Sequence, residues 1–336
     1  MNFLSVGDLA LTYQNRRQVV RIKADLARLG NELATGRKSD LSELSGGDFS
    51  PVSSLQNALA ANRAYSTSIA EAGLFASSMQ ATLGSIQSMS EQLGPALLMA
   101  GNSEHPAMIR SATADARSKF EAVVSAFNTQ VAGRYAFSGA ATDQPALASA
   151  DTIIQALAAA TASATTAAGI EAAVDAWFDT PGGGFDTTAY TGSGNLLAPF
   201  ALSESDMTSI PITAADTEIR EILKGYALAA LIDDGALNAN VVEQAALTRC
   251  AGERILSADS VLAELQARVG TSQSRIEAAN MRNAAARTSL ELALNELTAV
   301  DPYRAATELE AARGQLDTLY TLTVRLARLS MSEYLR

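Results

Sequence analysis

Apolar positions recur along this chain at alternating spacings of three and four. In the first arm Val19, Ile22, Leu26, Leu29 and Leu33 form a heptad seam, the pattern that lets helices pair side by side. Gly36 stands where such a helix would end. Ser50-Pro51 reads as an N-cap followed by proline at the first helical position. A second seam runs through Ile69, Ala72, Ala76, Met79, Leu83, Ile86, Ser90 and Leu93, with Ser90 its one polar member. Gly94-Pro95 is expected to end or kink that helix. A third helix is expected after His105-Pro106, continuing through Phe120, Val123, Val124 and Phe127.

The longest seam lies in the second arm. Ile255, Ala258, Leu262, Leu265, Val269, Ser272, Ile276, Ala279, Asn283, Ala286, Leu290, Ala293, Leu297 and Val300 follow the heptad without a slip. A continuous helix over that span would be about 70 Å long at 1.5 Å per residue. Such a rod needs partners along most of its length, because burial of the stripe supplies most helix stability in water. Asp301-Pro302 reads as a fresh N-cap and N1. A last seam follows through Ala305, Leu309, Ala312, Leu316, Leu319, Thr323 and Leu326, widened by Leu322 and Leu329. This final face is broader than a two-helix seam requires, and the sequence closes at Arg336 with almost no polar tail. Both ends therefore read as surfaces to be covered by protein, with more face than one chain can cover. That predicts assembly.

Between the arms the pattern changes. Residues 151–179 are alanine-rich and predicted helical, with Trp177-Phe178 as an anchor. Residues 195–211 hold short apolar runs broken by proline, closer to edge strands. Thr217 to Leu231 is predicted as a short amphipathic helix closed by an Asp233-Asp234-Gly235 turn. The predicted fold is mainly α: an elongated antiparallel helical bundle or coiled coil formed by the two arms, with a small mixed α+β domain inserted in the middle. The expected divisions are terminal helical segments at 1–40 and 301–336, a helical rod at 41–140 and 241–300, and an insert at 141–240.

Composition sharpens this picture. Alanine accounts for 66 of the 336 residues, which suits closely packed helices. The net charge is −11, and it is local: residues 141–240 hold 13 acids and 2 bases, whereas the remainder is balanced at 23 of each. The insert is therefore expected to be solvated. An acidic chain argues against nucleic acid as a partner, since that needs a basic face. The weakly polar stretch 152–170 is mostly Ala and Thr, less apolar than a membrane span requires. No basic segment followed by an apolar run opens the sequence, so no cleavable signal peptide is expected.

Catalytic chemistry finds little material. One Cys (Cys250) and one His (His105) exclude multi-Cys zinc sites and leave Ser-His-Asp hydrolysis short of imidazole. Asp233-Asp234 before Gly reads as a turn ahead of a metal pair. The glycines at 182–184 lack the Lys-Ser/Thr of a phosphate loop. Cys250, beside Arg249 and without an adjacent His, reads as a small packed residue. No catalytic, cofactor-binding or metal-binding residue is assigned, no cofactor is expected, and the chain is not expected to be an enzyme.

Four segments carry a family resemblance, two of them specific. Residues 127–145, FNTQVAGRYAFSGAATDQP, resemble the Asn-x-x-x-x-Gly-Arg-Tyr-x-Phe-x-Gly signature of the hook-associated protein 3 family, the hook-filament junction proteins of the bacterial flagellum and relatives of flagellin. Its positions here are Asn128, Gly133, Arg134, Tyr135, Phe137 and Gly139. Residues 301–329, opened by Asp301 and Pro302, resemble the family's C-terminal helix. Residues 269–280, with Arg275 and Ile276, are similar to an element shared with flagellins, and ELATGR at 32–37 is similar to the family's N-terminal turn. After Arg37 the chain reads KSDLSELSGGDFSP and lacks the Asn-x-Ala-Asp-Asp element usual in flagellins.

The resemblance implies an extracellular structural protein of the flagellum, exported through its own secretion system without a cleaved signal peptide. It implies an adaptor joining hook-associated protein 1 to flagellin as a homo-oligomeric ring, with an export chaperone as a further partner and neither nucleic acid nor membrane. The terminal segments would form an inner layer, with Val19, Ile22, Leu26, Leu29, Leu33, Leu309, Leu316, Leu319, Leu322, Leu326 and Leu329 as assembly contacts. Flagellin itself is the alternative reading, and a cytoplasmic signalling coiled coil a remote one.

Overall fold

The structure, a computed structural model, describes residues 6–39, 49–238 and 240–334, with side chains of 6–9, 11–12 and 326–334 outside the description. Among the described residues it is mainly α, with two small antiparallel strand pairs. In chain order the elements are α1 (Val6–Thr35), α2 (Ser50–Ser103), α3 (Pro106–Phe127), β1 (Gln130–Val131), β2 (Arg134–Tyr135), α4 (Ala150–Thr161), α5 (Ala167–Asp179), a single π turn (Phe185–Ala189), β3 (Phe200–Ala201), β4 (Met207–Thr208), α6 (Thr217–Asp233), α7 (Val241–Thr298) and α8 (Pro302–Tyr334). The chain forms two compact units. One comprises residues 1–62 with 285–336, the other residues 63–284, so α2 and α7 each contribute to both.

The 63–284 unit holds the main core. Along α2 the predicted seam is buried from Ile69 through Leu93, and along α7 from Ile255 through Ala279. The two helices run antiparallel here: Gly73 faces Ile276, Gln87 accepts from Gln266 at 2.9 Å, and Gly101 faces Ala245 and Arg249. Gly94-Pro95 does not end α2, which continues to Ser103. Proline removes one backbone donor and costs about 3 kcal/mol in a helix interior. Leu93, Leu97 and Ala100 are all buried around it, and Gly94 without a side chain admits Leu256 and Gly252 of α7. Packing outweighs propensity.

Ser90 is the seam's buried polar position because it has a partner: its hydroxyl meets the Tyr226 hydroxyl at 2.9 Å. Tyr226 belongs to α6, where the sequence predicted a one-sided helix. Instead α6 is covered all round, with every residue from Ile222 to Ile232 buried. Even Lys224 lies with its stem inside and its ammonium donating outward to Asp179 at 2.7 Å and Glu221 at 2.6 Å. Its pKa is raised: desolvation pulls it down, but the Asp179 and Glu221 carboxylates prevail.

The alanine-rich stretch is two helices rather than one. Ser149 caps α4 by accepting from the Thr152 amide, and Thr166 caps α5 by accepting from the Gly169 amide. Phe178 is buried and stacks near Phe185 at 5.3 Å, so the anchor is the phenylalanine more than Trp177. The proline-broken stretch supplies β3 and β4, paired Phe200 with Thr208 and Ala201 with Met207. The Asp233-Asp234-Gly235 sequence does close α6, with Gly235 at φ +106°.

Candidate assembly surface

The terminal unit is built from α1 paired with α8, together with the near parts of α2 and α7. On α1 the buried seam residues are Ile22 and Leu29, with Val19 and Leu26 partly covered. Leu33, predicted to continue that seam, is exposed, and its neighbour Glu32 is buried at 4% instead. The reason is the turn that follows. Gly36 takes φ +68° and the chain doubles back beside the end of α7, where Lys38 N–H donates to Thr298 at 2.9 Å and Val300 N–H donates to Gly36 at 3.1 Å. Arg37 donates to the Asn295 amide oxygen at 2.6 Å. Glu32 then accepts the Ser39 amide at 2.9 Å and Arg28 at 3.2 Å, so a charge takes the inward position. Sequence periodicity missed Glu32, Arg37 and Asn295. The one available signal was the ELATGR turn itself.

On α8 the predicted cap forms: Asp301 accepts from the Tyr303 amide at 3.0 Å and the Arg304 amide at 3.3 Å. Ala305 is buried, but Leu309, Leu316 and Leu319 are only partly covered and Leu322 is 47% exposed. Tyr320 and Val324 are exposed as well. Leu326 and Leu329 lie outside the described side chains. The α7 seam behaves alike beyond Asn283: Ala286 and Leu297 are exposed, and Leu290 and Ala293 are partly covered. Among the described residues this unit buries 5 apolar side chains, whereas the 63–284 unit buries 55. Completing the cover of one such Leu is worth about 1 kcal/mol, taking half of the usual burial value.

The signature residues sit elsewhere, in the 63–284 unit, and form its corner after α3. Asn128 caps α3, its side chain donating to Leu147 C=O at 2.8 Å and accepting from Leu147 N–H at 2.9 Å. Ala132 and Gly133, both at positive φ, make the tight turn between β1 and β2. Arg134 pairs with Glu71 and lies 5.1 Å over the Phe75 ring, while Tyr135 N–H donates to Thr142. Phe137 is fully buried edge-on to Phe127 at 5.2 Å. Gly139 has φ +62°, and a Cβ there would stand 2.4 Å from Asn195 O, so only glycine fits. Arg275 pairs with Asp206, and Ile276 is buried. These residues pack the fold.

The chemistry weighed from the sequence finds ordinary places. Cys250 is pushed up to about 12 by burial and by the Glu171 carboxylate, which makes it a poor nucleophile. The amide of Gly182 is taken by Asp186 at 2.8 Å, where a phosphate loop would leave it free. His105 caps α3 through its backbone. Among the described residues no group of three or more His, Cys, Asp or Glu could hold a metal ion, and no helix is long and apolar enough to cross a membrane. A cavity of about 430 Å³ lies at the α1–α8 corner. Its carboxylates are already engaged: Glu32 by Arg28 and Ser39, Glu308 by Arg304, Asp301 by two amides.

Residues 254–335 match the family model of the bacterial flagellin C-terminal helical region. A solved structure assigned as a flagellar hook-associated protein from Vibrio parahaemolyticus aligns with a TM-score of 0.52 and 15% identity, over 73% of this chain and 95% of that one. The crystal structure of FlgL from Bacillus cereus aligns with a TM-score of 0.51 and 14% identity, over 72% of this chain and 100% of that one. At these identities the two structures establish the shared fold. No curated protein matches the sequence. Together the likenesses place a flagellin-type C-terminal segment on a fold shared with these two structures.

Proposed function

We propose that this chain is the adaptor of the hook-filament junction: a ring of identical copies between hook-associated protein 1 and the flagellin filament. In this reading it is extracellular, delivered by the flagellar secretion system with the help of an export chaperone. The observation that carries it is the conjunction of a flagellin-type C-terminal segment with terminal helices whose apolar faces stay half uncovered. Val19, Ile22, Leu26 and Leu29 with Leu309, Leu316, Leu319, Leu322, Leu326 and Leu329 are the residues we assign to pairing of the terminal helices with each other and with neighbouring copies, Ile22 and Leu29, already buried, serving the first. Leu33 joins them from its exposed position.

A strain lacking the gene tests this by electron microscopy. Bare hooks with filament protein shed into the medium are the expected result, and normal filaments would refute the adaptor. Flagellin is the second reading, favoured by the match at 254–335. It predicts that purified protein polymerises into long filaments alone, whereas an adaptor stops at short oligomers.

A further inference from the structure

Four of the six arginines of α7, Arg254, Arg268, Arg275 and Arg282, are separated by fourteen, seven and seven residues. Each precedes a seam position (Ile255, Val269, Ile276, Asn283), so they form one row flanking the buried stripe. All four reach acids of the central segment. Arg254 holds Glu171 and Asp175, both at 2.7 Å. Arg268 holds Glu218 at 3.3 Å and Asp216 at 3.5 Å, and also donates to Pro211 C=O. Arg275 and Arg282 both end on Asp206, the latter at 2.9 Å. Of the thirteen central acids, ten have a basic partner within the unit. Much of the acidic excess is thus paired with bases, mostly arginines of the flanking helices, while Asp151, Asp179, Glu221 and Asp234 keep open access to water.

The two ends of this row differ in what supports them. Glu171 and Asp175 ride on α5, which is already anchored by buried Ile170, Val174 and Phe178. Asp206 rides on the turn between β3 and β4, a ladder of two residue pairs with Met207 exposed. A hairpin of that size is marginal by itself. Its turn is closed by the Leu202 and Ser203 amides donating to Asp206 C=O at 2.8 and 3.1 Å. Its apolar hold is Phe200 against Phe75 at 5.7 Å, with Leu202 buried. Just beyond it, the Ser209 carbonyl accepts from Ser272, a seam position of α7.

We propose that residues 200–208 form a charge-latched strap: one carboxylate, Asp206, shared by Arg275 and Arg282, fastens the hairpin over the last covered heptads of α7. Salt or loss of the arginines opens it locally while the core around α6 stays closed. Both arginines are more than half exposed, so screening reaches them. Opening frees Ser272 and lengthens the uncovered part of the seam.

Hydrogen exchange on the full chain, followed by mass spectrometry, tests this. Raising NaCl from about 0.05 M to about 1 M, which shortens the screening length to about 3 Å, should speed exchange of peptides over 200–208 by roughly three- to tenfold. Peptides over 219–232 should not change. The double variant Arg275→Gln/Arg282→Gln, and separately Asp206→Asn, should exchange fast in the hairpin at low salt and respond no further to salt. Salt-independent exchange in the unmodified protein would overturn the strap. So would a double variant with normal hairpin protection, or acceleration shared equally by α6.

Discussion

One heptad register runs along α7 on both sides of Ala284, yet the two sides end differently. From Ile255 to Ala279 each seam residue is buried, by α2 and by the segments that follow α3. From Ala286 to Leu297 the same periodicity leaves side chains open or half covered. The pattern states which face needs cover and says nothing about who supplies it. In the 63–284 unit the chain supplies its own cover, including a helix buried all round. Among the described residues of the terminal unit, four helical segments bury five apolar side chains and leave leucines, valines and tyrosines at the surface. The first region is a finished core. The second is half of one.

The sharpest way to break this contrast is to substitute one residue in each region. Phe120→Ala removes a fully buried ring and is expected to lower unfolding free energy by about 3–5 kcal/mol in denaturant titration. Leu322→Asp, in the free chain, should change it by less than about 0.5 kcal/mol, while abolishing co-assembly measured by sedimentation. Equal losses of stability would erase the distinction.

Gly101→Val probes how tightly the finished core is closed. A Cβ there would meet Ala245 O at 2.8 Å and Arg249 N at 2.9 Å, so the helices must separate, at a cost of about 1–3 kcal/mol. Ser90→Ala should cost about 1–2 kcal/mol, because the buried Tyr226 hydroxyl loses its partner. Tyr226 itself is pushed up to about 12, chiefly by burial, so this loss should be flat with pH through the neutral range.

The smallest effect concerns Asp259. Its pKa is raised by burial and by Glu91, and among the described residues its Oδ1 has no hydrogen-bond partner. A carboxyl with a raised folded pKa weakens the fold once ionised. The contribution is absent below the ordinary Asp value and grows as pH climbs through the raised one. Asp259→Asn should therefore stabilise at neutral pH by up to about 0.5 kcal/mol, given its access to water. The gain should vanish near pH 3, as thermal unfolding at the two pH values would show.

Much of this architecture was legible from residues alone. The seams of α2 and α7, the Asp301 cap and the Gly36 stop are local patterns, and local patterns survive folding. The misreadings share a cause, which is tertiary context. Of the two outcomes expected at Gly94-Pro95, a stop or a kink, the stop does not occur, because Leu93 and Leu97 are packed on either side of Pro95. α6 looked one-sided because Ala227, Ala229 and Ala230 are weak in any periodic count yet allow cover on every side. Glu32 displaced Leu33 because a turn seven residues later needed an acceptor. The acids of the central segment found arginines up to 83 residues away in sequence, a pairing that no composition count reveals.

Whether the terminal helices gain their cover only from other copies is best measured by hydrogen exchange on the same protein, free and assembled. The account predicts that residues 6–35 and 302–334 exchange far faster than 219–232 in the free chain and become protected on assembly, with 219–232 unchanged. Terminal helices equally protected in both states would contradict it.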